Sequence, residues 1–174
     1  MSILSSEIIF YLTGGADNTD PDASLGGAPN FTTGEITTDE LNNLFDDVGA
    51  EESEAGDIEY RCIAVKNTNA TIDMLLSKMF MLTQPAQSTI TIAFEEPATD
   101  AVQIIANEST APITVSFSAP STYATGIAVN SEAVASGTVT KAKWFGVWIK
   151  RTVTAEALAQ ANDYFEVKVQ GATT

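Results

Sequence analysis

The sequence predicts a mainly β protein: an antiparallel β-sandwich, jelly-roll-like, with one short helix and a long Gly/Asp-rich N-terminal loop. Three observations carry this prediction. TITIAF (89–94) and PITVSF (112–117) alternate apolar with hydroxyl or small side chains, the period of half-buried antiparallel strands. Turn signals separate such segments at short intervals, with no βαβ rhythm. The run from Val139 to Val153 is apolar on both faces, which suits a central strand covered on both sides. The whole chain, 1–174, is read as a single sandwich domain, with 1–56 as an acidic arm packing on or extending from it. Two small lobes divided near Gly56 or Pro85 are the alternative.

Taken in order, Glu7–Leu12 (EIIFYL) is β-branched and aromatic and reads as a strand ending at Gly14-Gly15. The loop from Gly14 to Gly34 follows, rich in Gly, Asp, Asn and Pro. It carries little apolar surface beyond Leu25, Pro29 and Phe31. Ordering it costs on the order of 1 kcal/mol per residue, so it is expected to be fixed only against a partner or a neighbouring copy. A helix is predicted near Asp39 to Phe45. Thr37 and Glu40 have capping-box spacing, and Leu41, Leu44 and Phe45 form one stripe. EESEAG then reads as an acidic turn.

From Asp57 the chain reads as β. In DIEYRCIAVKN one face carries Ile58, Tyr60, Cys62 and Ala64. The other begins polar, with Glu59 and Arg61, and ends apolar, with Ile63 and Val65. Further strands are predicted within 72–82, in TITIAF, in AVQIIA (101–106), in PITVSF and within 139–153. Met74, Met79 and Met81 suit adaptable core filling, with a soft contact surface as the alternative. A short Ala-rich turn or helix is predicted within 154–161, and Phe165, Val167 and Val169 define the last strand.

Charge narrows the function classes. Eight basic and 23 acidic residues give a net charge of −15. Fourteen of the acids and none of the bases lie in residues 1–60. Phosphate binding needs a basic surface, so no nucleic-acid partner is expected. No apolar run approaches the roughly 18 residues of a membrane span, and no signal peptide is read at the N-terminus. The chain has no histidine and one cysteine. Ser-His-Asp and Cys-His catalysis, His-containing zinc sites, an internal disulfide and a thiolate cage are therefore excluded within it.

The remaining chemistry is thin. A glycosidase needs two carboxylates facing each other across a sugar, and the adjacent pairs Asp46-Asp47, Glu51-Glu52 and Glu95-Glu96 give no facing geometry. Asp17, Asp20 and Asp22 supply hard oxygen ligands for calcium, but the EF-hand pattern fails at Leu25 and Phe31, and Asx-turns explain the same residues. Cys62 reads as a small buried hydrophobe. Trp144 and Trp148 fit core packing better than sugar stacking. Catalytic residues, cofactor and metal are all expected to be none.

Three stretches resemble a family of small virion structural proteins of tailed bacteriophages. They are YLTGGADNTDPDASLGGA (11–28), LNNLFDDVGAEESEAGDIEYRCIAVKNTNATIDM (41–74) and WFGVWIKRTVTAEALAQANDYFEVKVQG (144–171). They cover nearly half the chain, and their most specific cores are SLGG, LFDDV, GDIEYRCIAVKN and WIKRTV. Thr154-Ala155-Glu156 stands where the family has a Pro- or Gly-containing turn, and residues 75–143 carry no resemblance. The resemblance implies a virion component assembled in the host cytoplasm, with no enzymatic activity. Its partners would be the major capsid protein or tail proteins, and copies of itself. Capsid decoration or cementing is the first expectation, and a tail, neck or baseplate position the second. Leu25, Pro29 and Phe31 are the expected partner-binding residues. A reading from another class is a carbohydrate-binding module using Trp144, Tyr123 or Tyr164.

Overall fold

The computed structural model describes residues 3–38, 40–158 and 164–172. They form seven strands and one α-helix: β1 (Ile8–Leu12), α1 (Ala50–Ala55), β2 (Asp57–Asn67), β3 (Leu75–Thr83), β4 (Ser88–Glu95), β5 (Ile127–Ala128), β6 (Trp144–Val153) and β7 (Glu166–Ala172). The strands make two antiparallel sheets, one ordered β1-β2-β6-β4 and the other β5-β3-β7. From β2 to β7 each successive strand lies in the other sheet.

The two sheets share one apolar core. Ile63 and Val65 of β2, Ile90 and Ile92 of β4, and Phe145, Val147 and Ile149 of β6 join Met79 and Met81 of β3 there. Val167 and Val169 of β7 pack against the same cluster. The methionines are thus core fillers, and Met79 and Met81 are almost fully buried. A second cluster lies on the opposite face of the larger sheet: Tyr60, Cys62 and Ala64 of β2, Ala93 of β4, and Trp144 and Trp148 of β6. Val102, Ile105, Leu25, Val115 and Phe117 cover it. This is why β6 is apolar on both faces: it separates two cores.

The structure corrects four expectations. Residues 40–45 are not helical; Asn42 has φ +56° and Leu41 points to solvent, so only Leu44 and Phe45 bury. Asp39 lies outside the described residues. The helix is instead the supposed acidic turn. Ala and Glu favour helix, the Glu52 carboxylate accepts the Gly49 N–H at 2.6 Å, and Gly56 closes the helix at φ +79°.

AVQIIA is not a strand. It pairs irregularly with the N-terminal loop, Gly26 against Ile104. PITVSF is not one either. Thr114 has φ +65°, Ile113 is exposed, and only Ser118, just beyond it, bridges to Ile92. Both segments lie over the second cluster, AVQIIA through Val102 and Ile105 and PITVSF through the alternating Val115 and Phe117, so the cluster selects their side chains as a partner strand would.

Fourth, the loop from Gly14 to Gly34 is tied to its own chain. Ser24 sits beside β2 beyond the end of β1, its carbonyl accepting the Cys62 N–H at 2.8 Å. The hydroxyls of Thr13 and Ser24 both donate to the Cys62 carbonyl, at 2.9 and 2.6 Å. Asn30 N–H bonds to Leu12 and Ile36 N–H to Phe10, which closes the outer edge of β1. These bonds are made by backbone and hydroxyl groups, which the apolar surface of the loop does not reveal. The described part of the 154–161 segment is a turn at Ala155-Glu156; residues 159–161 lie outside the described residues.

Candidate functional site

The most concentrated chemistry is a buried ionic cluster at the start of β2. Glu59 and Arg61 share the β2 face that continues into Ile63 and Val65, and that face points into the main core. β2–β6 register sets Arg151 directly opposite Glu59. Arg151 binds the Glu59 carboxylate, and its guanidinium also donates to the Asp46 carbonyl at 2.8 Å and carboxylate at 3.3 Å. Arg61 reaches Glu59 at 3.5 Å and Glu108 at 2.8 Å. Phe45 completes the cluster, with the Arg151 and Arg61 guanidinium carbons 4.7 and 5.4 Å from its ring centre. Burial pushes the Glu59 carboxyl up, against the pull of Arg151 and then Arg61.

Every carboxylate in this cluster is engaged by a cation or a backbone group, so the arrangement holds chain segments together and offers no free base or nucleophile. In the sequence, Glu59 and Arg61 are only the polar start of one face of the strand. Their period-2 phase with Ile63 and Val65 was the signal that they point inward.

The calcium candidates are not assembled into a site. The Asp17 carboxylate accepts the Thr19 N–H at 2.8 Å and hydroxyl at 2.6 Å, an Asx-turn that lowers its pKa. Asp20 is raised by its hydrogen bond to Asp22 and by that neighbour's charge. Among the described residues the carboxylates that converge as a trio are Glu52, Asp57 and Glu59. Glu52 caps α1 and Glu59 is held by arginine, so that trio is committed too.

The three expected partner-binding residues have partners within the chain. Leu25 is half-buried against the second cluster. Pro29 bridges to Thr13. Phe31 packs edge-on against Tyr11 at 5.0 Å and Trp144 at 6.4 Å, with the Lys66 ammonium 3.8 Å from its ring centre. It nonetheless remains 39% exposed.

The exposed apolar side chains nearest the loop are others. Ile104 lies against Gly27 and Ile113 is held by Gln103 through two hydrogen bonds, and both are largely exposed. Trp144 and Trp148 are buried and unavailable to a sugar; Tyr123 is half-buried, its hydroxyl bonded to the Leu76 carbonyl, and Tyr164 is exposed.

The stretches quoted for the resemblance meet in space. Ser24 of SLGG binds Cys62 of GDIEYRCIAVKN, Asp46 of LFDDV binds Arg151 of WIKRTV, and β2 and β6, which carry GDIEYRCIAVKN and WIKRTV, pair with each other. No protein-family model, no curated protein and no solved structure matches the chain.

Proposed function

We propose that the chain is a structural protein of a tailed-bacteriophage virion, acting through protein–protein contacts and without catalysis. Decoration or cementing of the capsid exterior is the position we favour. The observation that carries the reading is the resemblance of the three stretches. It gains support from their mutual bonding: the residues they share with the family are those that tie the loop, the 41–48 segment and the β2–β6 pair into one body. A fold whose characteristic residues are spent on internal ties suits a shell component. So does a strongly acidic net charge of −15, which keeps a crowded particle soluble. The jelly-roll-like winding expected of the sandwich is part of this proposal. Its support is the alternation of successive strands between the sheets.

In this reading the protein is assembled in the host cytoplasm, binds neither nucleic acid nor membrane, and contacts the major capsid protein. The attaching surface is the loop layer over the second cluster, where Phe31, Ile104 and Ile113 offer apolar contact and the acids face solvent. The test is co-sedimentation of the purified chain with capsids lacking it, and separately with tails. Binding to capsids that persists at high salt and is lost in Ile104→Asp/Ile113→Asp supports the proposal. Binding to tails alone moves the protein to the tail, neck or baseplate, and binding to neither overturns the reading. Glycan binding that Tyr164→Ala abolishes would replace it with a carbohydrate-binding module.

A further inference from the structure

The two sheets differ in how their edges are closed. Residues 34–36 bond along the outside of β1, Ser118 pairs with Ile92 on the outside of β4, and β5 is only two residues long. β7 is different. It runs for seven residues, Glu166–Ala172, and pairs with β3 on one side. Among the described residues no backbone group outside β3 bonds to it. A long open edge is a template for another strand, and proteins usually block one with charge, proline or a bulge. β7 has no proline, and its charges in the strand are Glu166 and Lys168, two residues apart on the exposed face.

We propose that the N-terminal half of β7 of a second copy pairs with the same half of this edge, antiparallel, about a two-fold axis passing beside Val167, so that the two strands overlap over Glu166–Lys168 and Tyr164-Phe165, just ahead of each strand, face Val169-Gln170 of the other. The sequence of the strand singles out that occupant and that register. With Val167 opposite its own copy, Glu166 of each chain faces Lys168 of the other. Two opposite-charge pairs then form at the positions where a lone lysine would block pairing. The same register sets Phe165 opposite Val169, so the half-buried apolar faces of both copies stay in line and the two small sheets join into one. The existing contacts allow it. Glu166 accepts a hydrogen bond from Thr83 through one carboxylate oxygen, leaving the other free, and Lys168 lies 6.0 Å from the Phe80 ring centre on the exposed face. The pairing does not depend on the virion reading, and its test uses the free protein.

The experiment is sedimentation equilibrium of the full chain at about 0.15 M salt, where long-range repulsion between the acidic copies is screened. A concentration-dependent dimer is expected. Lys168→Glu should weaken it at least about tenfold, because two like-charge pairs replace two opposite ones, and Glu166→Lys combined with Lys168→Glu should restore it. Mild oxidation of Val167→Cys should yield a disulfide-linked dimer, whereas Val169→Cys, whose copies would sit about 13 Å apart, should not. Cys62 is buried and adds no background. A monomer at all concentrations overturns the proposal. So does a dimer that ignores the charge swaps or cross-links through Val169→Cys and not Val167→Cys.

Discussion

The guanidinium of Arg151, near the C-terminal end of β6, lies over the ring of Phe45, 4.7 Å from its centre. This contact joins the acidic 41–48 segment to the middle of the larger sheet, and it exists because Glu59 holds Arg151 from the other strand. The segment has no regular secondary structure, so its position rests on Leu44, Phe45 and the Asp46 bonds to Arg151.

Phe45→Ala should therefore cost about 3 kcal/mol and release the segment. Urea unfolding checks the first part. Limited proteolysis checks the second, with new cleavage expected between Leu44 and Ala50; a cleavage pattern unchanged from the parent would show that Phe45 does not anchor it.

The two sides of the Glu59–Arg151 pair should respond unequally. Arg151→Met leaves a buried carboxylate without its nearest cation and should cost about 3 kcal/mol or more. Glu59→Gln should cost less, about 1–3 kcal/mol at neutral pH, because Arg61 keeps Glu108 and Arg151 keeps Asp46. Equal losses in urea midpoints would contradict this.

The same burial sets a pH dependence. The folded pKa of Glu59 is raised, so its contribution to stability is fully present below the ordinary carboxylate range and is lost as pH rises through the raised value. Other acids titrate in both proteins, so the difference between parent and Glu59→Gln isolates this group. That difference should move in favour of the variant between about pH 4 and neutrality; a shift towards the parent would reverse the sign.

Cys62 should be inert in the folded protein. Burial raises its thiol well above the ordinary value, and it is fully enclosed under the loop. A thiol reagent at about pH 8 should react only at the rate of unfolding, and stoichiometrically in urea. Prompt reaction of the native protein would mean that the loop opens freely.

Two glycines separate packing from backbone strain. A Cβ at Gly26 (φ +96°) would lie 1.9 Å from the Gln103 carbonyl oxygen, whereas one at Gly15 (φ +89°) would meet open space. Gly26→Ala should cost about 3 kcal/mol or more, and Gly15→Ala only about 1 kcal/mol. Thermal melts of the pair report directly on whether the loop is part of the fold.

Sequence period revealed what regular pairing controls. β2, β4 and β7 follow from alternation, and β6 from a run apolar on both faces, Trp144–Ile149, whose two-faced burial is legible in the sequence. What escaped is set by contacts distant in sequence. Glu59 is polar yet buried because Arg151 lies opposite it, 92 residues away. The alternation of 112–117 reports an apolar surface beneath it, which a covering segment needs as much as a strand does. The helix was misplaced because Leu41, Leu44 and Phe45 have helical spacing but are used singly, whereas AEESEA has no apolar stripe and forms a helix from propensity and one carboxylate cap. Leu25, Pro29 and Phe31 were recognised as the apolar side chains of the loop, but not that they are largely satisfied within the chain.

The measurement that tests the central claim most directly is cryo-electron microscopy of intact particles assembled with this chain. The account predicts density for the two-sheet fold on the outside of the capsid, with the loop layer over β2, β6 and β4 facing the shell and the acidic segments outward. Particles that form and remain stable with no copy of the chain anywhere in capsid or tail would contradict it.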